Sequence, residues 1–125
     1  MNYRVPTQEE RAFLRVVTRG YSELEAQAES CEIADYDPDG WCHVRVREGQ
    51  SAAMRGHVDG PTLQTDEPVK TFVETILWTN EAGLLSTVEI VDYLKVLGEP
   101  YRAFLEAAAA VPPRLSYFSD RLGCG

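Results

Sequence analysis

Two β-rich runs separated by one turn signal constrain this chain more than anything else in it. Val69 to Asn80 (VKTFVETILWTN) is followed by Glu81-Ala82-Gly83 and then by Leu84 to Lys95 (LLSTVEIVDYLK). Asn80 to Gly83 reads as a type I turn with Gly83 supplying φ > 0, a three-residue hairpin loop with a bulge. Pairing Asn80 with Leu84 puts Trp78 opposite Ser86, Ile76 opposite Val88, Glu74 opposite Ile90 and Phe72 opposite Asp92. Side chains alternate along a strand, so this register makes two distinct faces. The first carries Phe72, Ile76, Trp78, Val88 and Ile90, and helices are expected to cover it. The second carries Val73, Leu77, Leu85, Val91 and Tyr93. A half-apolar second face is either packed under another element or used to bind something. It is the candidate partner-binding patch, with Leu85 and Tyr93 as anchors.

A chain of 125 residues fits one domain, residues 1–125, with a core that needs no staples. The net charge of -8 comes from 20 acidic against 12 basic residues. That argues against nucleic acid, whose phosphates are bound by clustered Lys and Arg. It suits solubility or a basic protein partner. The first residues, MNYRVPTQEERAFLRVV, lack the apolar core of a secretory signal. No window approaches 18 apolar residues, so no membrane span is expected. Three cysteines make an odd count for a disulfide framework. A cytoplasmic protein of bacterial type with free thiols is the expectation.

Thr7-Gln-Glu-Glu10 is a capping box that opens a helix bearing Phe13, Leu14, Val16 and Val17, and Gly20 fits its C-terminal end. A second such box, Ser22 to Glu25, starts a helix through about Ser30, or continues the first as one kinked helix. Cys31 to Tyr36 and Trp41 to Arg47 read as strands around the turn Asp37-Pro-Asp-Gly40. A four-residue loop there sets Glu32 opposite Arg45 and gathers Cys31, Ile33, Cys42, Val44 and Val46 on one face. Met54 to Val58 reads as a short edge strand within the loop-like 48–68 segment. Pro100 opens a helix carrying Tyr101, Phe104, Leu105 and Ala108, and Pro112-Pro113 ends it. In the tail, Leu115, Tyr117, Phe118 and Leu122 suggest a docked segment with a short helical turn.

Chemistry-bearing motifs are sparse. Asp35-Tyr-Asp37-Pro-Asp39-Gly40 matches the first half of a calcium loop, but the bidentate Glu of the full motif is replaced by Val46. An acidic turn is the ordinary explanation. Cys31, Cys42, His43, His57 and Cys124 have no metal-ligand spacing. Cys31 and Cys42 are offset along the hairpin by about 13 Å at ~3.3 Å per residue, too far for a disulfide, so they read as small buried hydrophobes. A Cys42–His43 nucleophile pair has no supporting signature around it. His43, Arg45 and Arg47 form a basic stripe that reads as a solvated strand face, or as a reader of phosphate or carboxylate groups.

Gly83-Leu-Leu-Ser-Thr-Val-Glu-Ile-Val-Asp-Tyr93 resembles the last strand, G-x-L-S-x-L-E-I-x-x-Y, of small bacterial α+β proteins of uncharacterised function. Gly83, Leu85, Ser86, Val88, Glu89, Ile90 and Tyr93 carry the match, with a looser one at Gly40-Trp-Cys42. The resemblance ends beyond Leu97, where this chain adds a helix and a tail. It implies a fold: N-terminal helices, a short hairpin, then a second hairpin. Small acidic proteins of this build also look similar to immunity proteins of bacterial toxin systems, which act by covering a toxin. The expected architecture is α+β, a mainly antiparallel sheet of four to five strands in two hairpins, with an N-terminal helix or helix pair and a C-terminal helix. The expected function is non-enzymatic binding of another protein, as an immunity protein or antitoxin, or self-association as a homodimer. No cofactor, metal, nucleic-acid or membrane partner is expected. An inhibitor from a phage or mobile element, acting on a host machine, is the first alternative. A small enzyme or ligand-binding domain using Cys42 and His43 is the second.

Overall fold

A computed structural model describes residues 2–35, 40–50 and 56–117. Three helices pack on an antiparallel sheet, an α+β architecture. The sheet is larger than the four to five strands expected. It comprises β1 (Tyr3–Arg4), β2 (Glu32–Ala34), β3 (Trp41–Arg45), β4 (Gly56–Asp59), β5 (Thr62–Thr65), β6 (Thr71–Thr79), β7 (Leu85–Val91) and β8 (Leu115–Ser116). Their order is β1-β2-β3-β7-β6-β5-β8, with β4 also beside β6. The nine-residue β6 is the axis. One edge pairs with β7, and the other pairs with β4 and then β5. These two behave as one strand bent at Gly60-Pro61. Gly60 N–H donates to Thr75 O at 2.9 Å, and Thr75 Oγ1 donates to Pro61 O at 2.6 Å. A Cβ on residue 60 would collide with Thr75 Oγ1, so only glycine allows this approach. Met54 and Arg55 of the expected edge strand lie outside the described residues; its remainder falls in β4.

The central turn forms as its sequence demands. Gly83 N–H donates to Asn80 O at 2.9 Å, Asn80 N–H donates to Leu84 O at 2.8 Å, and Gly83 has φ 75°. One step further the expected register fails. Thr79 pairs with Leu85, but Trp78 pairs with Thr87. Ser86 is an extra residue, a β-bulge, and its hydroxyl donates to Trp78 O at 3.1 Å. A one-residue slip turns every side chain of one strand over relative to the other. The buried face therefore carries Val73, Thr75, Leu77, Leu85, Val88 and Ile90. Phe72, Ile76 and Trp78, expected in the core, point the other way, and Phe72 is 45% exposed.

The second hairpin keeps its expected register, Glu32 opposite Arg45 and Ile33 opposite Val44. Cys31, Ile33, Cys42, Val44 and Val46 are all buried in the core. The turn residues 36–39 lie outside the described residues.

Helix α1 (Gln8–Val17) starts on the Thr7–Glu10 capping box with both bonds made. Helix α2 (Ser22–Ala28) is separate from α1, and Gly20 turns between them at φ 93°. Its N-cap is Tyr21 with no side-chain capping bond, so the second expected box does not form. Pro100 opens α3 (Pro100–Ala109). Phe13 of α1 meets Tyr101 of α3 edge-on, ring centroids 5.5 Å apart. Leu115 is buried as expected, but as a strand residue opposite Leu63 and not in a helical turn. Phe118 and Leu122 lie outside the described residues. All three helices contribute to one core with the inner faces of the strands.

Candidate functional site: the outer face of the sheet

The bulge at Ser86 decides what the outer face presents. Two cross-strand rows run over it on β3, β7, β6 and β4. The first is Trp41, Glu89, Ile76 and Asp59; the second is His43, Thr87, Trp78 and His57. Residues paired across antiparallel strands project together, so each row is a line of neighbouring side chains. Among the described residues no helix packs on this face. Trp41 is 36% exposed, and Ile76, Trp78, His43, Thr87 and Glu89 are half-buried. Both tryptophans of the chain are here.

Side-chain bonds fix the central part. The Trp78 indole Nε1–H donates to Glu89 Oε1 at 3.0 Å. The His57 ring packs against Trp78 with centroids 4.9 Å apart at 45°. Thr87 Oγ1 and His43 Nδ1 are 3.4 Å apart. On the flank, Arg45 of the basic stripe is already engaged. The Arg45 guanidinium bonds Glu32 at 2.6 Å and lies over the Tyr3 ring, 4.6 Å from its centroid. Beyond the first row, β6 presents the exposed Glu74 and Phe72. A cleft of about 410 Å³ adjoins Glu89 beyond the end of β7, lined by Val91, Asp92, Tyr93, Lys95 and Pro100.

The expected binding patch does not exist as a surface. Val73, Leu77 and Leu85 are buried under the helices, with Leu77 inaccessible, because the bulge turned β6 over. Val91 is 9% exposed, and only Tyr93, past the end of β7, is open at 86%. These five residues therefore do not project together. The Cys42–His43 pair is also taken apart. Neighbours on a strand point to opposite faces, so Cys42 enters the core while His43 faces outward. Burial pushes the Cys42 thiol up to about 12, against the opposing pull of its bond to the Tyr101 hydroxyl. Burial likewise raises Cys31 to about 11. Neither is in a disulfide. Of the acidic turn, Asp35 bonds Arg4 at 3.3 Å, and Asp37 and Asp39 lie outside the described residues. Among the described residues no three His, Cys, Asp or Glu side chains are grouped to hold a metal ion. No described helix is long and apolar enough to cross a membrane.

Trp41, Phe72, Ile76, Trp78 and His57 were not expected at a surface site. One signal in the sequence points to them. Glu74 and Glu89 belong on the wet side of their strands, and only a one-residue bulge brings both to the same face.

No protein-family model matches the chain, and no curated protein or solved structure matches it.

Proposed function

We propose that the protein is a non-enzymatic binder of another protein, covering its partner with the outer face of the sheet in the manner of an immunity protein or antitoxin. The observation that carries this reading is the gathering of Trp41 and Phe72, both exposed, with Ile76 and Trp78, both half-buried, on one sheet face that no described helix covers. Aromatic side chains on a rigid platform are the residues that dominate interface energetics. Aromatic and apolar side chains gathered on an uncovered sheet face mark an interaction surface. The residues of the face sit on strands β3, β7, β6 and β4 paired in one sheet, so binding requires little ordering. The acidic balance of the chain favours a basic partner and fast encounter with it. A phage-borne inhibitor of a host machine would use the same face; the identity of the captured partner separates the two. The enzyme alternative has less support, since the Cys42 thiol is buried away from His43.

The test is photo-crosslinking in the source cells. Benzoylphenylalanine replaces Ile76 in one variant and the exposed Glu106 of α3 in another. A heterologous protein adduct at position 76 and not at 106 is the expected result. An adduct only to a second copy of the chain, or no adduct, overturns the reading.

A further inference from the structure

Three carboxylates are interleaved with the aromatic residues of the outer face. Glu89 lies between Trp41 and Ile76, Asp59 follows Ile76, and Glu74 lies one row below on β6. Among the described residues none of the three has an Lys or Arg partner. Five acids elsewhere do have one: Glu10 and Asp35 with Arg4, Glu29 with Arg15, Glu32 with Arg45 and Glu9 with Arg102. Glu89, Asp59 and Glu74 are thus carboxylates without a basic partner among the described residues, standing beside the aromatic rings.

We propose that the partner presents an arginine side chain, which docks on this face with its guanidinium against the Trp41 and Trp78 rings and its N–H groups on Glu89. This inference rests on the protein-binding reading and names the chemistry of the partner. Glu89 is already oriented for it. Oε1 accepts the Trp78 indole N–H at 3.0 Å, which fixes the carboxylate and leaves Oε2 without a competing donor among the described residues. His57 holds the other side of the Trp78 ring. A planar guanidinium both stacks on an indole and forks onto a carboxylate, whereas an ammonium does only the Coulombic part. Across two strand spacings of ~4.8 Å, Glu89 and Asp59 lie about 10 Å apart. A basic segment crossing the strands can therefore meet more than one carboxylate. A nucleic-acid strand would meet three like charges here and is repelled.

Both tryptophans lie at the site, so intrinsic fluorescence reads it directly. The purified full chain is titrated at low salt with acetyl-(Arg-Gly)₄-amide, and in parallel with the Lys-Gly and Gln-Gly peptides of the same length. A saturable fluorescence change with the arginine peptide is expected, several-fold tighter than with the lysine peptide and absent with the glutamine peptide. Glu89→Gln is expected to weaken it by about tenfold or more, the usual worth of a charge-assisted fork, while Glu106→Gln on α3 leaves it unchanged. Equal affinity for the arginine and lysine peptides, or equal weakening by Glu106→Gln and Glu89→Gln, would reduce the effect to diffuse charge and overturn the inference. If the arginine peptide fails while position 76 still crosslinks to a protein, the arginine inference falls and the protein-binding reading stands. If the peptide binds but no protein adduct forms, the protein-binding reading falls, and the partner arginine with it.

Discussion

Gln27, buried in α2, accepts the backbone N–H of Leu85 on its Oε1 at 2.7 Å, across 58 residues of sequence. Its Nε2 donates to Gly83 O at 3.1 Å. One side chain of α2 thus satisfies two backbone groups at the turn end of the hairpin. Gln27→Ala leaves both without that partner in the core. The expected loss is about 2–6 kcal/mol, from a desolvation penalty of ~1–3 kcal/mol for each of the two unsatisfied groups. Urea unfolding monitored by circular dichroism measures it. A loss under about 0.5 kcal/mol, the scale of ordinary surface changes, would mean that the amide does not hold the turn.

Adjacent residues on β6 are expected to behave in opposite ways. Leu77 is fully buried, so Leu77→Ala should cost about 2–5 kcal/mol by leaving a cavity. Trp78 is half-buried on the outer face, so Trp78→Ala should cost about 1 kcal/mol or less from lost surface packing. The same substitution should abolish partner capture. Reversed magnitudes in denaturant melts would place the bulge elsewhere.

Cys42 should resist alkylation in the native protein. Its thiol donates to the Tyr101 hydroxyl at 3.7 Å, and with its pKa near 12 the thiolate fraction at pH 8 is on the order of 10⁻⁴. Peptide mapping after iodoacetamide treatment is expected to show Cys42 labelling that rises only as denaturant unfolds the chain. Rapid labelling without denaturant would revive the nucleophile alternative.

Glu10 ties stability to pH. Burial raises its pKa, but the Arg4 guanidinium and the Thr7 backbone N–H more than offset that and leave it below the usual carboxylate value. Arg4 grips it through two bonds, of 2.6 and 2.9 Å. A depressed folded-state pKa contributes stability above the unfolded value, near ~4.3 for Glu, and loses it as pH falls through the folded value. The midpoint of urea unfolding should therefore fall below about pH 4.3, less steeply in Glu10→Gln. At pH 6 to 7 the wild type should exceed that variant by a constant margin. Identical pH profiles would remove Glu10 from the account.

The parts that were legible in the sequence are those set by strong local chemistry. The Thr7 capping box, the Asn80–Gly83 turn and Pro100 act within a few residues, and each forms as read. The β2–β3 register was legible because one alignment alone buried Cys31, Ile33 and Val44 together. The β6–β7 faces were misread because Ser86 adds one residue without any glycine or proline to announce it. The apolar weight of Phe72, Ile76 and Trp78 then argued for the wrong side. Tyr3-Arg4 and Leu115-Ser116 are two-residue strands whose only reason to be extended is the strand beside them. Such pairings are long-range and leave no periodicity to read. The binding-site expectation failed with the register.

Helix α1 has consequences for how the molecule is made. Beyond its near contacts with Arg4 and α2, several of its partners come from the far part of the chain: Phe13 meets Tyr101, Glu9 bonds Arg102 at 2.7 Å, and Val16 O accepts the Tyr117 hydroxyl at 2.7 Å. None of these can form until about a hundred further residues have been translated and have cleared the ribosome. Contacts of such sequence separation also close slowly. During synthesis the Phe13, Leu14 and Val17 stripe is thus left without its cover, a target for holdase chaperones at the exit port.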